Sequence, residues 1–148
     1  LGNFPSSCDF AVYGQFTQLV GFDPTPRRIA YEFSPRTVAW VSTLEDRGGL
    51  NYSEENKSLD SLSDSISDLF KELSISYIPT MIENHKAVNE DEKEWSVDLA
   101  GYPWKQRSFP YQAKCLDWIR DEFKKLDTEN QEKVLNFLTA TNCQSLVE

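Results

Sequence analysis

The sequence holds one histidine, one methionine and three cysteines, and no two of the cysteines form a C-x-x-C pair. That scarcity excludes the common zinc ribbons and thioredoxin-type redox pairs, which need clustered thiols or imidazoles. The lone His85 follows Glu83 and precedes an acidic run, but no ligand spacing for a metal surrounds it, so it reads as a partly buried or surface residue. Also missing are a glycine-rich phosphate loop, a G-x-S-x-G elbow and an H-E-x-x-H helix. Basic charge is in deficit, with 24 acidic against 15 basic residues and a net charge of -9. Such a surface repels nucleic acid and anionic lipid, so neither is expected as a partner. No apolar run approaches a membrane span, and no basic start followed by an apolar segment suggests a secretory signal. Widely spaced free thiols at Cys8, Cys115 and Cys143 then point to a reducing, cytoplasmic setting.

What is present is a chain of 148 residues with 39% apolar and 13% aromatic content, enough for one core and short for two ordinary domains. It begins at Leu1, and its only methionine is Met81, so it reads as a processed product, a trimmed stretch or a fragment.

Helical signals dominate. Ser6 and Asp9 form an S-x-x-D capping box, with Asp9 at the positive end of the helix dipole and Pro5 and Phe10 placed for a hydrophobic staple. Beyond it, Phe10, Tyr13, Thr17 and Val20 form one helical stripe, and Val12, Phe16 and Leu19 a second, which predicts a buried central helix. A bend at "DPTP" leads into a short helix over 26–33. Ser34 and Pro35 open the next helix, with Val38, Val41 and Leu44 on one face, Trp40 beside them, and Gly48 and Gly49 as its stop. Residues 51–58 read as a polar loop whose two N-x-S triplets, at Asn51 and Asn56, are taken as chance. From Leu59 a pattern through Leu62, Ile66, Leu69, Phe70, Leu73 and Tyr77 predicts a long helix broken near Tyr77 by Pro79. Met81, Ile82 and His85 continue it as far as an acidic loop over 89–94.

The period then changes. Trp95, Val97 and Leu99 alternate with polar residues ahead of "AGYP", which predicts a β-hairpin over 94–107. Ser108 is a possible cap for a helix carrying Cys115, Trp118, Ile119 and Phe123 on one face. Thr128 and Gln131 fit a second capping box, followed by Val134, Leu135 and Leu138 and a short tail. The fold expected is mainly α, a bundle of about six helices with one small β-hairpin, in one helical domain over 1–148. Within it, residues 1–50 form core helices and residues 51–148 an extension.

Candidate chemistry is sparse, and no catalytic residue or metal site is assigned. Cys8 sits in the first turn of the first helix, where the dipole favours a thiolate; adjacent Asp9 opposes this and no base lies near in sequence. Asp9 is explained as a cap. One cluster stands out at the hairpin-to-helix junction: Tyr102, Trp104, Arg107, Tyr111, Gln112 and Lys114, with Lys105, Phe109 and Trp118 interleaved. Aromatics with cations and an amide suit a pocket for an apolar or anionic ligand. The same residues suit a second hydrophobic cluster under the hairpin.

"LGNFPSSCDFAVYGQF" followed by "FDPTPRRIAYEFSPRTVAWVSTLED" resembles the second half of the C-terminal helical domain of glutathione S-transferases. Ser6 and Asp9 match that family's capping box, and Cys8 replaces a small residue. Pro35, Arg36, Val38 and Trp40 match the helix after it, while Thr43 stands where a base is common. "WKQRSFPYQAKCL" is similar to the C-terminal extension of a bacterial subset. The resemblance is close over residues 1–48 and fair over 95–146. It implies part of a larger protein whose thioredoxin-like domain, the binder of glutathione, is absent from these residues. This piece would contribute to the wall for the hydrophobic co-substrate and be inactive alone, with no cofactor of its own. The missing domain is the implied partner, and a homo-oligomer is a further expectation. The alternative is a stand-alone, non-catalytic helical module that binds a partner or small molecule.

Overall fold

Capping chemistry sets where the chain turns helical. In the computed structural model, which describes residues 5–47 and 64–148, seven α-helices and one two-stranded antiparallel hairpin form, so the fold is mainly α with a small β-hairpin. The chain divides into two compact units, residues 1–55 and 56–148.

The first unit holds α1 (Ser7–Gly21), α2 (Pro24–Phe33) and α3 (Pro35–Glu45). The Ser6–Asp9 box is complete. The Ser6 amide and hydroxyl donate to Asp9 Oδ2 at 2.8 and 2.7 Å, and the Asp9 amide donates to Ser6 Oγ at 3.4 Å. Burial pushes the Asp9 carboxyl up, but the hydrogen bonds it accepts, those from Ser6 among them, outweigh that and hold it below the ordinary aspartate value. Two expectations shift. The helix expected from residue 26 starts at Pro24, because Asp23 caps it by accepting from the Thr25 amide at 3.2 Å. Ser34 makes no side-chain bond to an α3 amide; its hydroxyl pairs with that of Thr37 at 2.6 Å.

Helix α1 packs on α2 and α3. Phe16 meets Trp40 edge to face at 6.3 Å, and Val20 and Leu44 are buried. The expectation of a helix covered on most sides is corrected: Phe10, Val12 and Leu19 are exposed, because two neighbours cover only part of a cylinder. Helix α3 ends at Glu45, and the proposed Gly48–Gly49 stop, the loop over 51–58 and the start at Leu59 lie outside the described residues.

The second unit is built around α5 (Tyr77–Asn89), which contacts α4 (Asp64–Ile75), β1 (Glu94–Leu99) and α6 (Pro110–Lys125). Pro79 falls in the first turn of α5, where its missing N–H is harmless, so the long pattern breaks at Ser76. Strand β1 pairs with β2 (Tyr102–Arg107) in the register Leu99↔Tyr102 to Glu94↔Arg107. Ala100 and Gly101 both have positive φ, 52° and 90°, as a two-residue type I′ hairpin turn requires. Pro103 lies one step past the hydrogen-bonded pair that flanks the turn, so its nitrogen faces the open edge, where a missing donor costs the ladder nothing.

Ile78, Leu138 and Cys143 form the core of this unit, with Phe70, Leu73, Ile82, Val134, Phe137, Leu146 and Val147 around them. Helix α7 (Thr128–Ala140) caps one residue earlier than expected. Asp127, not Thr128, accepts from the Asn130 amide at 2.9 Å, and that bond holds its carboxyl below the ordinary value. Gln131 is drawn elsewhere: its amide donates to the carbonyls of Phe123, Lys124 and Leu126, closing the end of α6. Leu135, expected in the core, is exposed. The expected tail is packed instead. Thr141 and Cys143 are fully buried, the Cys143 amide donates to the Leu138 carbonyl at 2.7 Å, and a 3-10 turn follows over Gln144–Leu146.

Candidate functional site

The buried stripe of α5 runs Ile78, Met81, Asn84, Ala87. A polar residue in such a stripe needs partners, because an unpaired buried amide is costly. Asn84 finds three. Its Oδ1 accepts from the Phe109 amide at 2.7 Å and from Trp95 Nε1 at 3.1 Å, and its Nδ2 donates to the Phe109 carbonyl at 3.0 Å. One fully buried side chain thus ties α5 to the base of the hairpin and to the cap residue of α6. The sequence reading missed it; the available signal was a lone amide between Met81 and Ala87. Ser108, expected to cap α6, is taken by the same junction: its hydroxyl donates to the Glu92 carbonyl at 2.6 Å and its amide to that of Lys93 at 2.9 Å.

That junction positions the six residues of the expected cluster, and the pleat divides them. Side chains directly opposite in the ladder share a face. Trp104 opposite Val97 and Tyr102 opposite Leu99 therefore lie on the face of buried Trp95. Arg107 opposite Glu94 lies on the other face with Lys105, whose ammonium pairs with Glu94 at 2.6 Å and lowers the pKa of that carboxyl. Tyr102 is 78% exposed, Trp104 50% and Tyr111 60%, so these three are surface rings and not a core under the hairpin.

On α6 the buried residues are Ala113 and Leu116. The face expected to be buried is thereby corrected, since Trp118 and Ile119 are exposed and Cys115 is half-buried. Gln112 is half-buried as well. Tyr111 meets Trp118 edge to face at 6.1 Å and tilts against Phe109 at 6.3 Å, and Lys114 Nζ lies 5.0 Å from the Trp118 ring centroid. Phe109, Tyr111, Lys114 and Trp118 are thus brought together, while Arg107 is on the far face of the hairpin from Tyr102 and Trp104.

Each unit also carries a cleft. One, of about 340 Å³, lies between α5 and the hairpin and is lined by Glu83, Lys86, Glu90, Glu92, Glu94 and Lys105 among others. The other, of about 380 Å³, belongs to the first unit, where Phe22, Pro24, Arg27, Arg28 and Tyr31 form it and the Arg27 guanidinium sits 5.7 Å from the Tyr31 ring centroid.

His85 bridges α5 to α6. Its Nε2 lies 2.8 Å from Asp117 Oδ1, and the Asn89 amide nitrogen lies 3.2 Å from Nδ1. With that amide as donor, Nδ1 accepts and Nε2–H donates to the carboxylate, an arrangement that joins two helices. Among the described residues no group of three or more His, Cys, Asp or Glu is placed to hold a metal ion. Cys8 is exposed, Cys143 is buried with its thiol directed at the Phe70 carbonyl, and all three cysteines are free. Among the described residues no helix is long and apolar enough to cross a membrane. No protein-family model, curated protein or solved structure matches the chain.

Proposed function

We propose that the chain is part of the C-terminal helical domain of a glutathione S-transferase-like protein. In this reading it forms part of the wall around an apolar electrophilic co-substrate, in a cytoplasmic, reducing setting. A thioredoxin-like partner domain binds glutathione and activates its thiol. The observation that carries the reading is the complete Ser6–Asp9 box, followed in order by the Asp23-capped α2 and the proline-started α3 whose Trp40 packs on Phe16. These are the three features on which the sequence resemblance rests. The exposed apolar side chains of Val12 and Leu19, seven residues apart on one side of α1, are suited to covering something apolar. The coding sequence upstream of Leu1 tests the assignment. A thioredoxin-like domain in the same frame supports it, and an initiator codon directly before Leu1 overturns it.

The exposure of Tyr102, Trp104 and Tyr111 favours a second reading, a non-catalytic module that binds an apolar or anionic ligand through the hairpin and α6. An anionic aromatic dye, anilinonaphthalene sulfonate, serves as probe. Replacing Trp104 and Tyr111 together by alanine should abolish its binding and leave the circular dichroism spectrum unchanged. Unaltered binding overturns this reading.

A further inference from the structure

The outer face of α6, which the ligand reading touches at Tyr111, carries a longer pattern of its own. Taking Trp118 as centre, Tyr111 and Lys125 lie seven residues to either side, and Lys114 and the Asp121–Glu122 pair lie three to four residues to either side. At 3.6 residues per turn all of these fall on one side of the helix. It is the side opposite buried Ala113 and Leu116, and every one of these residues is exposed. The stripe is charge-complementary to its own reversal. If a second α6 is laid antiparallel with Trp118 against Trp118, the residue k places before the centre meets the residue k places after it. Lys114 then meets Glu122, with Asp121 one place along, and Tyr111 meets Lys125, on both sides of the twofold axis. A parallel arrangement in register sets Lys114 against Lys114 and acid against acid.

We propose that α6 is a self-association surface whose partner is a second copy of this chain, paired antiparallel about Trp118 in an isologous contact. Within one copy Lys114 already lies over the Trp118 ring and Lys125 pairs with Glu122 at 2.6 Å. Both ammonium groups are therefore held beside the positions that the second copy presents. The central ring supplies the apolar anchor and the flanking pairs set direction, since charge pairing across a contact selects register more than it adds affinity. A single helix face buries less than a standard interface, so the dimer is weak.

Sedimentation equilibrium of the full chain at rising concentration tests this, with three variants. Wild type should show a monomer–dimer equilibrium. Trp118→Ala should remove it. Lys114→Glu should weaken it about tenfold, because like charges then oppose each other twice in the symmetric contact. Adding Asp121→Lys and Glu122→Lys to Lys114→Glu should restore it. All the altered residues are exposed, and circular dichroism checks that each variant is folded. A wild type that stays monomeric at millimolar concentration overturns the proposal, as does association indifferent to Trp118→Ala. Failure of the triple variant to recover overturns the antiparallel pairing.

Discussion

Replacing Asn84 with alanine should be the most damaging single polar substitution in the second unit. The side chain has 0% exposure and makes three hydrogen bonds, and Trp95, one of its partners, is 5% exposed. Alanine leaves the indole N–H and the Phe109 N–H without a partner, while the Phe109 carbonyl keeps the Gln112 and Ala113 amides. Each such buried group costs about 1–3 kcal/mol when orphaned. Water entry and local relaxation recover part of that sum over two groups, so a loss of about 2–4 kcal/mol is expected. Whole-domain stabilities are about 5–15 kcal/mol, so the variant should lose a large share of its stability. Urea denaturation followed by circular dichroism reads the loss as a shift in midpoint. A double-mutant cycle with Trp95→Phe isolates the shared bond. Once Asn84 is gone, removing the indole N–H deletes an orphan, so Trp95→Phe should cost less in that background, by about 1 kcal/mol or more. A loss below about 1 kcal/mol for Asn84→Ala, or strict additivity in the cycle, would refute the assignment of Asn84 as the tie between α5, hairpin and α6.

Other substitutions probe the ends of elements. Ser6→Ala removes the acceptor for the Asp9 amide and the hydroxyl donor to its carboxylate, and should destabilise by about 0.5–2 kcal/mol in thermal or chemical melts. Because the folded state holds the Asp9 carboxyl below its ordinary value, its contribution is present above the unfolded aspartate pKa of about 3.9. It is lost as pH falls through the lower folded value, so a stability profile of wild type against Asp9→Asn should converge in strong acid; curves that stay parallel would contradict the sign. Ala100→Asn should stabilise, since Ala100 sits at φ 52° and Asn-Gly is the favoured pair for this turn; about 0.5–1 kcal/mol is expected, and a loss would mean the turn is of another type.

Features governed by neighbours a few residues apart were legible. The Ser6–Asp9 box, the break beside Pro79 and the hairpin over 94–107 depend on local spacing, turn residues and alternation, and all stand where the pattern put them. The α7 cap was misplaced by one residue through competition between equivalent signals. Thr128 with Gln131 and Asp127 with Asn130 are both valid cap spacings. The carboxylate took the helix start while the Gln131 amide went to three carbonyls at the end of α6. Features set by distant partners were not legible. Asn84 bonds to residues 11 and 25 places away, and Cys143 reaches the Phe70 carbonyl across 73. On α6 the apolar content is spread so widely that composition does not say which side faces the core. Packing on α5 chose the small Ala113 and the Leu116 side and left Trp118 outside. In the candidate cluster the residue types were visible, and so was the alternation that sets Arg107, three places from Trp104 on one strand, on the opposite face; that Tyr102 and Trp104 stay exposed was not.

The proposal that this chain lends an apolar wall while another domain supplies the activated thiol is tested most directly by glutathione conjugation to an activated aryl chloride. The rate is measured for the 148-residue chain alone and for the protein read through from its upstream coding sequence. The account predicts conjugation by the longer protein and only the uncatalysed rate from the chain. Turnover by the chain alone, above that of the buffer, would contradict it.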